Sequence, residues 1–109
     1  DLRHDKTFGP DGVNVDWIPD ESGVEVPIRT YERGVEGETL ACGSGAMAAW
    51  SAARVAGWSE AQRGIRFRTR SGSILTVGWA DNHREVTLEG EARLVYRGRL
   101  TPDALLECE

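Results

Sequence analysis

Residues 46–56 hold six alanines and end at Gly57. Alanine is the strongest helix former, and glycine readily takes the left-handed conformation that closes a helix, so the spacing predicts a helix over 46–56 with Gly57 as its C-terminal stop. Ser51 and Arg54 are the only strongly polar positions in it, so the helix is apolar on nearly every face. It is far too short to cross a bilayer. A helix of that kind must be wrapped by other structure, and alanine side chains let that structure come close.

The flanking sequence supplies strands. Positions 13–18 alternate in polarity and read as a strand, with a turn over 19–23 after it. Positions 24–33 read as a second strand. Pro27 removes one ladder donor there, which puts that strand at an edge or bulges it. Residues 34–45 contain four glycines and read as a loop. Short alternating patterns over 65–69, 73–79, 85–91 and 92–99 read as further strands. Ser71-Gly72 and Asp81-Asn82-His83 supply turns between the first three. The tail from Thr101 forms a final helical turn. The expected class is α+β: one buried central helix wrapped by a curved, mostly antiparallel sheet, in a single domain over 1–109.

Composition narrows the function classes. A chain of 109 residues and 12.0 kDa is one domain. With 39% hydrophobic and 28% charged residues it is globular rather than disordered. The net charge of −5 argues against a nucleic-acid partner, which calls for a basic footprint. Arg63, Arg66, Arg68 and Arg70 are a local exception, read as the wet face of a strand. No apolar run is long enough for a membrane span and no leader-like apolar segment follows Asp1, so the expected setting is cytoplasmic. Two cysteines, Cys42 and Cys108, are too few for a disulfide framework and too widely spaced for a zinc motif. No metal site is expected, and Cys108 is read as inert.

The informative stretch runs from Tyr31 to Ala46. Cys42 stands where a glycine-rich loop enters the helix. Unpaired N–H groups of a first helical turn, together with the helix dipole, stabilise a thiolate and form an anion site suited to a carboxylate or phosphate. Glycines let that backbone approach a ligand closely. Two plainer readings stay open: a small buried Cys, and a Gly-Ser-Gly turn with a serine cap. No lysine follows the glycines, so this is not a nucleotide-binding P-loop. Nothing in the spacing brings His4 or His83 beside Cys42. Glu32 and Arg33 adjoin the loop and point to opposite faces if their strand continues.

The run Tyr31-Glu32-Arg33-Gly34, followed by Glu38-Thr39-Leu40-Ala41-Cys42-Gly43-Ser44-Gly45-Ala46, resembles the second cysteine motif of the diaminopimelate epimerase family. Residues 12–17 resemble that family's asparagine strand, and residues 90–98 its closing strands. The resemblance implies a two-lobed, cofactor-independent isomerase that interconverts LL- and meso-2,6-diaminopimelate, a step in lysine biosynthesis. Each lobe of such an enzyme is a helix wrapped by a sheet and contributes one cysteine. Carried over residue by residue, it implies that Cys42 is a catalytic acid/base. It also implies that Gly43 and Ser44 offer N–H groups to the reacting carboxylate. Asn14, Glu32 and Arg33 would bind the distal amino-acid end. This chain resembles the C-terminal lobe, which alone should not turn over, so the implied partners are the N-terminal lobe and a small amino-acid substrate. The alternatives are another amino-acid racemase of the same fold, or a non-catalytic carboxylate-binding lobe that self-associates as a homodimer.

Overall fold

The computed structural model describes residues 1–20 and 23–106. Among the described residues, seven strands and one α-helix follow in chain order: β1 (Val15–Trp17), β2 (Val26–Pro27), β3 (Arg29–Glu32), β4 (Gly37–Thr39), α1 (Gly43–Val55), β5 (Ile65–Arg68), β6 (Ile74–Trp79) and β7 (Val86–Gly90). Short 3₁₀ turns occupy Leu2–His4, Lys6–Phe8, Ser59–Gln62 and Pro102–Leu105. The class is α+β, as expected, but the strands form two sheets rather than one. The first has the order β1-β3-β4 and is antiparallel; the second has the order β2-β5-β6-β7.

Pro27 explains the division. Positions 24–33 are not one strand but two, β2 and β3, which lie in different sheets. β2 runs parallel to β5 at the edge of the second sheet, pairing Val26 with Phe67 and Pro27 with Arg68. The Ile28 N–H donates to the Arg68 carbonyl at 3.0 Å. N–H direction alternates along a strand, so the donor that Pro27 lacks is the one facing away from the ladder. The chain then crosses into the first sheet.

The segment 34–45 is not all loop. Gly37–Thr39 forms β4, which pairs Thr30 with Thr39, Tyr31 with Glu38, and Glu32 with Gly37. Helix α1 also starts three residues earlier than alanine content predicts. Cys42 caps it, its Sγ accepting the Gly45 N–H at 3.4 Å, so Ser44 lies inside the helix rather than at its cap. The other end matches expectation. Gly57 has φ +88°, its N–H donates to the Arg54 carbonyl, and the Trp58 N–H donates to the Ala53 carbonyl. This pair of bonds is the Schellman closure.

The core lies between α1 and the sheets. Gly45, Ala46, Ala49, Trp50 and Ala53 form the buried face of the helix, against Val26, Ile28, Ile65, Phe67 and Val77. Trp50 donates its ring N–H to the Ala61 carbonyl at 2.9 Å, satisfying the one polar atom of a buried indole. It meets Trp79 edge-on at 5.1 Å, and the Arg54 guanidinium lies 5.1 Å from the Trp79 ring. Wrapping is partial. The opposite helix face is open, with Val55 82% exposed, and the sheets do not close around it.

The arginine row behaves as expected. Ile65 and Phe67 are buried while Arg66 and Arg68 face solvent and reach Glu25 at 3.7 and 3.1 Å. Arg63 and Arg70 differ: Arg63 follows a 3₁₀ turn and Arg70 lies in the β5–β6 turn, both outside the strand. Residues 92–99 form no strand. Their apolar side chains are exposed, Val95 and Tyr96 at 83%, because no ladder partner lies beside them. The expected helical turn after Thr101 is the 3₁₀ turn Pro102–Leu105. Among the described residues no helix is long and apolar enough to cross a membrane.

Candidate active site

The site is built on one face of the three-stranded sheet. The register pairs Val15 with Tyr31, Asp16 with Thr30 and Trp17 with Arg29. Alternation therefore puts Asp16, Thr30, Glu32 and Thr39 on one face, and Trp17, Arg29, Tyr31 and Glu38 on the other. Continued by one residue, the register sets Asn14 opposite Glu32, on the Asp16 face. The N-terminus of α1 rests against this face: a Cβ on Gly45 would lie 2.3 Å from Asp16 Oδ1 and 3.1 Å from Thr30 Oγ1. Asp16 and Thr30 are hydrogen-bonded to each other at 2.5 Å, and Thr30 is buried. Sheet and helix thus meet at Gly45, three residues from Cys42.

Cys42 is half-buried, extended in backbone (φ −147°, ψ 113°) and free of any disulfide. Besides the Gly45 N–H, its sulfur has the Ser44 hydroxyl at 3.3 Å. The Ala46 N–H is taken by the Cys42 carbonyl. The N–H groups of Gly43 and Ser44 have no acceptor among the described residues. Gly43 is half-buried and Ser44 is exposed. Two further contacts fix the approach to the helix. The Ser71 N–H donates to the Leu40 carbonyl at 3.1 Å, and Leu88 of β7 lies against Gly43.

Asn14, Glu32 and Arg33 come together at the far end of the same sheet. Asn14 Oδ1 accepts the Arg33 backbone N–H at 2.6 Å, which leaves its NH₂ group as a donor. Glu32 is half-buried at the end of β3 and has no side-chain partner among the described residues. Arg33 lies one residue beyond the strand, exposed and likewise unpaired among the described residues. Asp16 and Thr30, which seat the helix terminus, escaped the sequence reading. Only strand register could have revealed them, because neither type is unusual in a strand.

The remaining candidates lie elsewhere. His4 Nε2 is 3.3 Å from Glu36 and 3.8 Å from Asp1. His83 sits in the β6–β7 turn near the Trp79 ring. Neither has a recorded contact with Cys42. Cys108 is outside the described residues, as are Glu21 and Ser22 of the expected turn. Among the described residues no group of three or more His, Cys, Asp or Glu could hold a metal ion. On the opposite sheet face, Arg29 grips Glu38 through two bonds of 2.7 Å, and Arg70 approaches it at 2.9 Å. The Arg29 bond, more than its charge or that of Arg70, holds the Glu38 carboxyl below the usual carboxylate range.

Residues 1–95 match the family model described as diaminopimelate epimerase. Curated relatives bear the same name. The protein of Chlorobaculum tepidum is 43% identical over 100 residues, covering 92% of this chain and 38% of its own length. Those of Aquifex aeolicus and Gemmatimonas aurantiaca are 38% and 41% identical, over 95% and 91% of this chain and 37% and 39% of their own lengths. The chain thus spans less than two fifths of the relatives it matches. On this similarity the chain belongs to the diaminopimelate epimerase family.

Proposed function

We propose that this chain is the C-terminal lobe of a two-lobed diaminopimelate epimerase and supplies one of its two acid/base groups, the Cys42 thiol. The observation that carries this reading is the juxtaposition at the α1 N-terminus. A half-buried sulfur and two N–H groups with no acceptor among the described residues stand where the helix terminus rests on the Asp16 face of the sheet, the face that also carries Glu32.

The chemistry follows from what inverting a stereocentre demands. A base must take the α-proton from one face while an acid delivers a proton to the other. With Cys42 as thiolate, its sulfur takes the proton and the C–H pair moves towards the substrate carboxylate. A thiol on the opposite lobe then protonates the other face. The two sulfurs have exchanged roles, and the reverse reaction runs from that state. The Gly43 and Ser44 N–H groups stabilise the charge that builds on the carboxylate as the proton leaves. Arg33 offers a forked donor to the distal carboxylate, Asn14 its NH₂ group, and Glu32 an acceptor for the distal ammonium. The proposed reaction needs no cofactor.

The test replaces Cys42 in the two-lobed protein. Cys42→Ser keeps a strong helix cap, so the fold should persist. Both Cys42→Ser and Cys42→Ala should lower epimerisation by about 10²–10⁴-fold, the scale of a lost acid/base group. Epimerisation at the parent rate in a folded variant would remove Cys42 from the reaction.

A further inference from the structure

Arg3 lies in the first 3₁₀ turn and is 6% exposed, an unusual burial for a guanidinium. Its Nη1 donates to the Asp11 carbonyl at 2.8 Å, and its Nη2 pairs with the Glu36 carboxylate. Its Nε is buried without a partner in the structure. Its own carbonyl accepts the Val13 N–H at 3.2 Å. The pocket around it is tightly fitted: at Gly12, with φ +72°, a Cβ would come within 2.1 Å of both the guanidinium and the Arg3 carbonyl.

Both ends of this clamp lead to the proposed distal-end binding set. On one side, Asp11 and Val13 set the chain entering Asn14. On the other, Glu36 occupies the β3–β4 turn with φ +54°, an unfavourable conformation for a side chain of its size. The turn holds that conformation through three bonds besides Arg3. The Glu36 N–H donates to the Glu32 carbonyl, the Tyr31 hydroxyl donates to the Glu36 carbonyl, and His4 reaches its carboxylate. Arg33 lies within this turn, its N–H fixed by Asn14.

We propose that Arg3 is a positioning residue: its buried guanidinium, bridging the Asp11 carbonyl and the Glu36 carboxylate, holds the strand entry that bears Asn14 against the hairpin turn that bears Arg33. The inference rests on the reading of Asn14, Glu32 and Arg33 as the distal-end binding set. It goes beyond that reading because Arg3 itself touches no substrate. A clamp of this kind governs where two binding groups stand relative to each other, and leaves the sulfur at the helix terminus undisturbed. Its loss therefore weakens binding of ground and transition state alike.

The experiment compares Arg3→Lys, Glu36→Ala and their double variant in the two-lobed protein, with Arg33→Ala alongside. Lysine keeps the charge but lacks the fork. Glu36 is at an exposed turn, so its variant should fold even if Arg3→Lys does not. Expected is a KM for diaminopimelate raised about tenfold in each single variant with kcat within about twofold, the pattern of lost uniform binding. The double variant should be no worse than the weaker single. A lowered melting temperature with the parent KM in both single variants, while Arg33→Ala raises KM, would overturn the positioning role alone. An unchanged KM in Arg33→Ala would overturn the binding-set reading and this inference with it.

Discussion

Gly45 is the residue on which the site turns. A side chain there would press into the Asp16 carboxylate at 2.3 Å and the Thr30 hydroxyl at 3.1 Å, a pair already bonded to each other and partly buried. Replacing glycine in a helix normally gains about 1 kcal/mol, whereas forcing a methyl into a filled contact costs about 1–3 kcal/mol. The clash wins, because Asp16 cannot yield without breaking its bond to Thr30. Gly45→Ala should destabilise the chain by up to about 2 kcal/mol in urea denaturation, the difference between those two effects. Gly43 provides the contrast. Its Cβ would meet only the end of the Leu88 side chain, at 2.8 Å, and that side chain is 45% exposed and free to rotate. Gly43→Ala should therefore stay within about 0.5 kcal/mol of the parent. Equal losses at both positions would show that backbone freedom, not the Asp16 contact, sets the requirement for glycine.

At the scale of elements, the first sheet is held on its outer face by charge. Glu38 of β4 binds Arg29 of β3 and Arg70 from the β5–β6 turn. Its carboxyl titrates below its ordinary value, chiefly through the Arg29 bond. A group whose folded value is depressed stabilises the protein above its unfolded value and loses that contribution as pH falls through the folded value. Glu38→Gln should lower the denaturation midpoint by a constant amount above about pH 5, and the gap should begin to narrow near the unperturbed glutamate value of about 4.3 and close as pH falls through the lower folded value. A gap that persists unchanged at low pH would assign the effect to packing. The helix end gives a second element-scale expectation. Gly57 has φ +88° with nothing within 4 Å of its missing Cβ. Gly57→Ala meets no clash, so its cost of about 1 kcal/mol would be the left-handed conformation itself. Thermal unfolding of the variant measures it directly.

Over the whole molecule, the chain is more extended than its length calls for. Its radius of gyration is 17.5 Å, against about 13 Å for a compact domain of this size. Beyond β7, residues 91–106 are exposed throughout. That strand is a free sheet edge, and the chain after it runs without a ladder partner, exposing Leu94, Val95, Tyr96 and Leu100. Unpaired extended backbone is the form a protease accepts. Brief trypsin treatment should cut first after Arg93, Arg97 or Arg99, before the arginines of β5, and mass spectrometry of the early fragments would record the order. First cuts after Arg66 or Arg68 would mean that the second sheet opens before this segment is reached.

Features that depend on neighbours along the chain were encoded locally. Alanine content called for the helix, Gly57 marked its end, alternation marked β1, β5, β6 and β7, and Pro27 marked a sheet edge. The cysteine motif was legible as well, because a thiol at a helix entry is a local arrangement. Only tertiary structure decided the rest. Composition cannot show that two glycines belong inside a helix when what admits them is contact with Asp16, Thr30 and Leu88. Nor does it show that Asn14 faces Glu32, since register arises from pairing between distant strands. The pattern over 92–99 encodes a strand, yet a strand exists only where another supplies its hydrogen bonds, and no other described strand lies beside those residues.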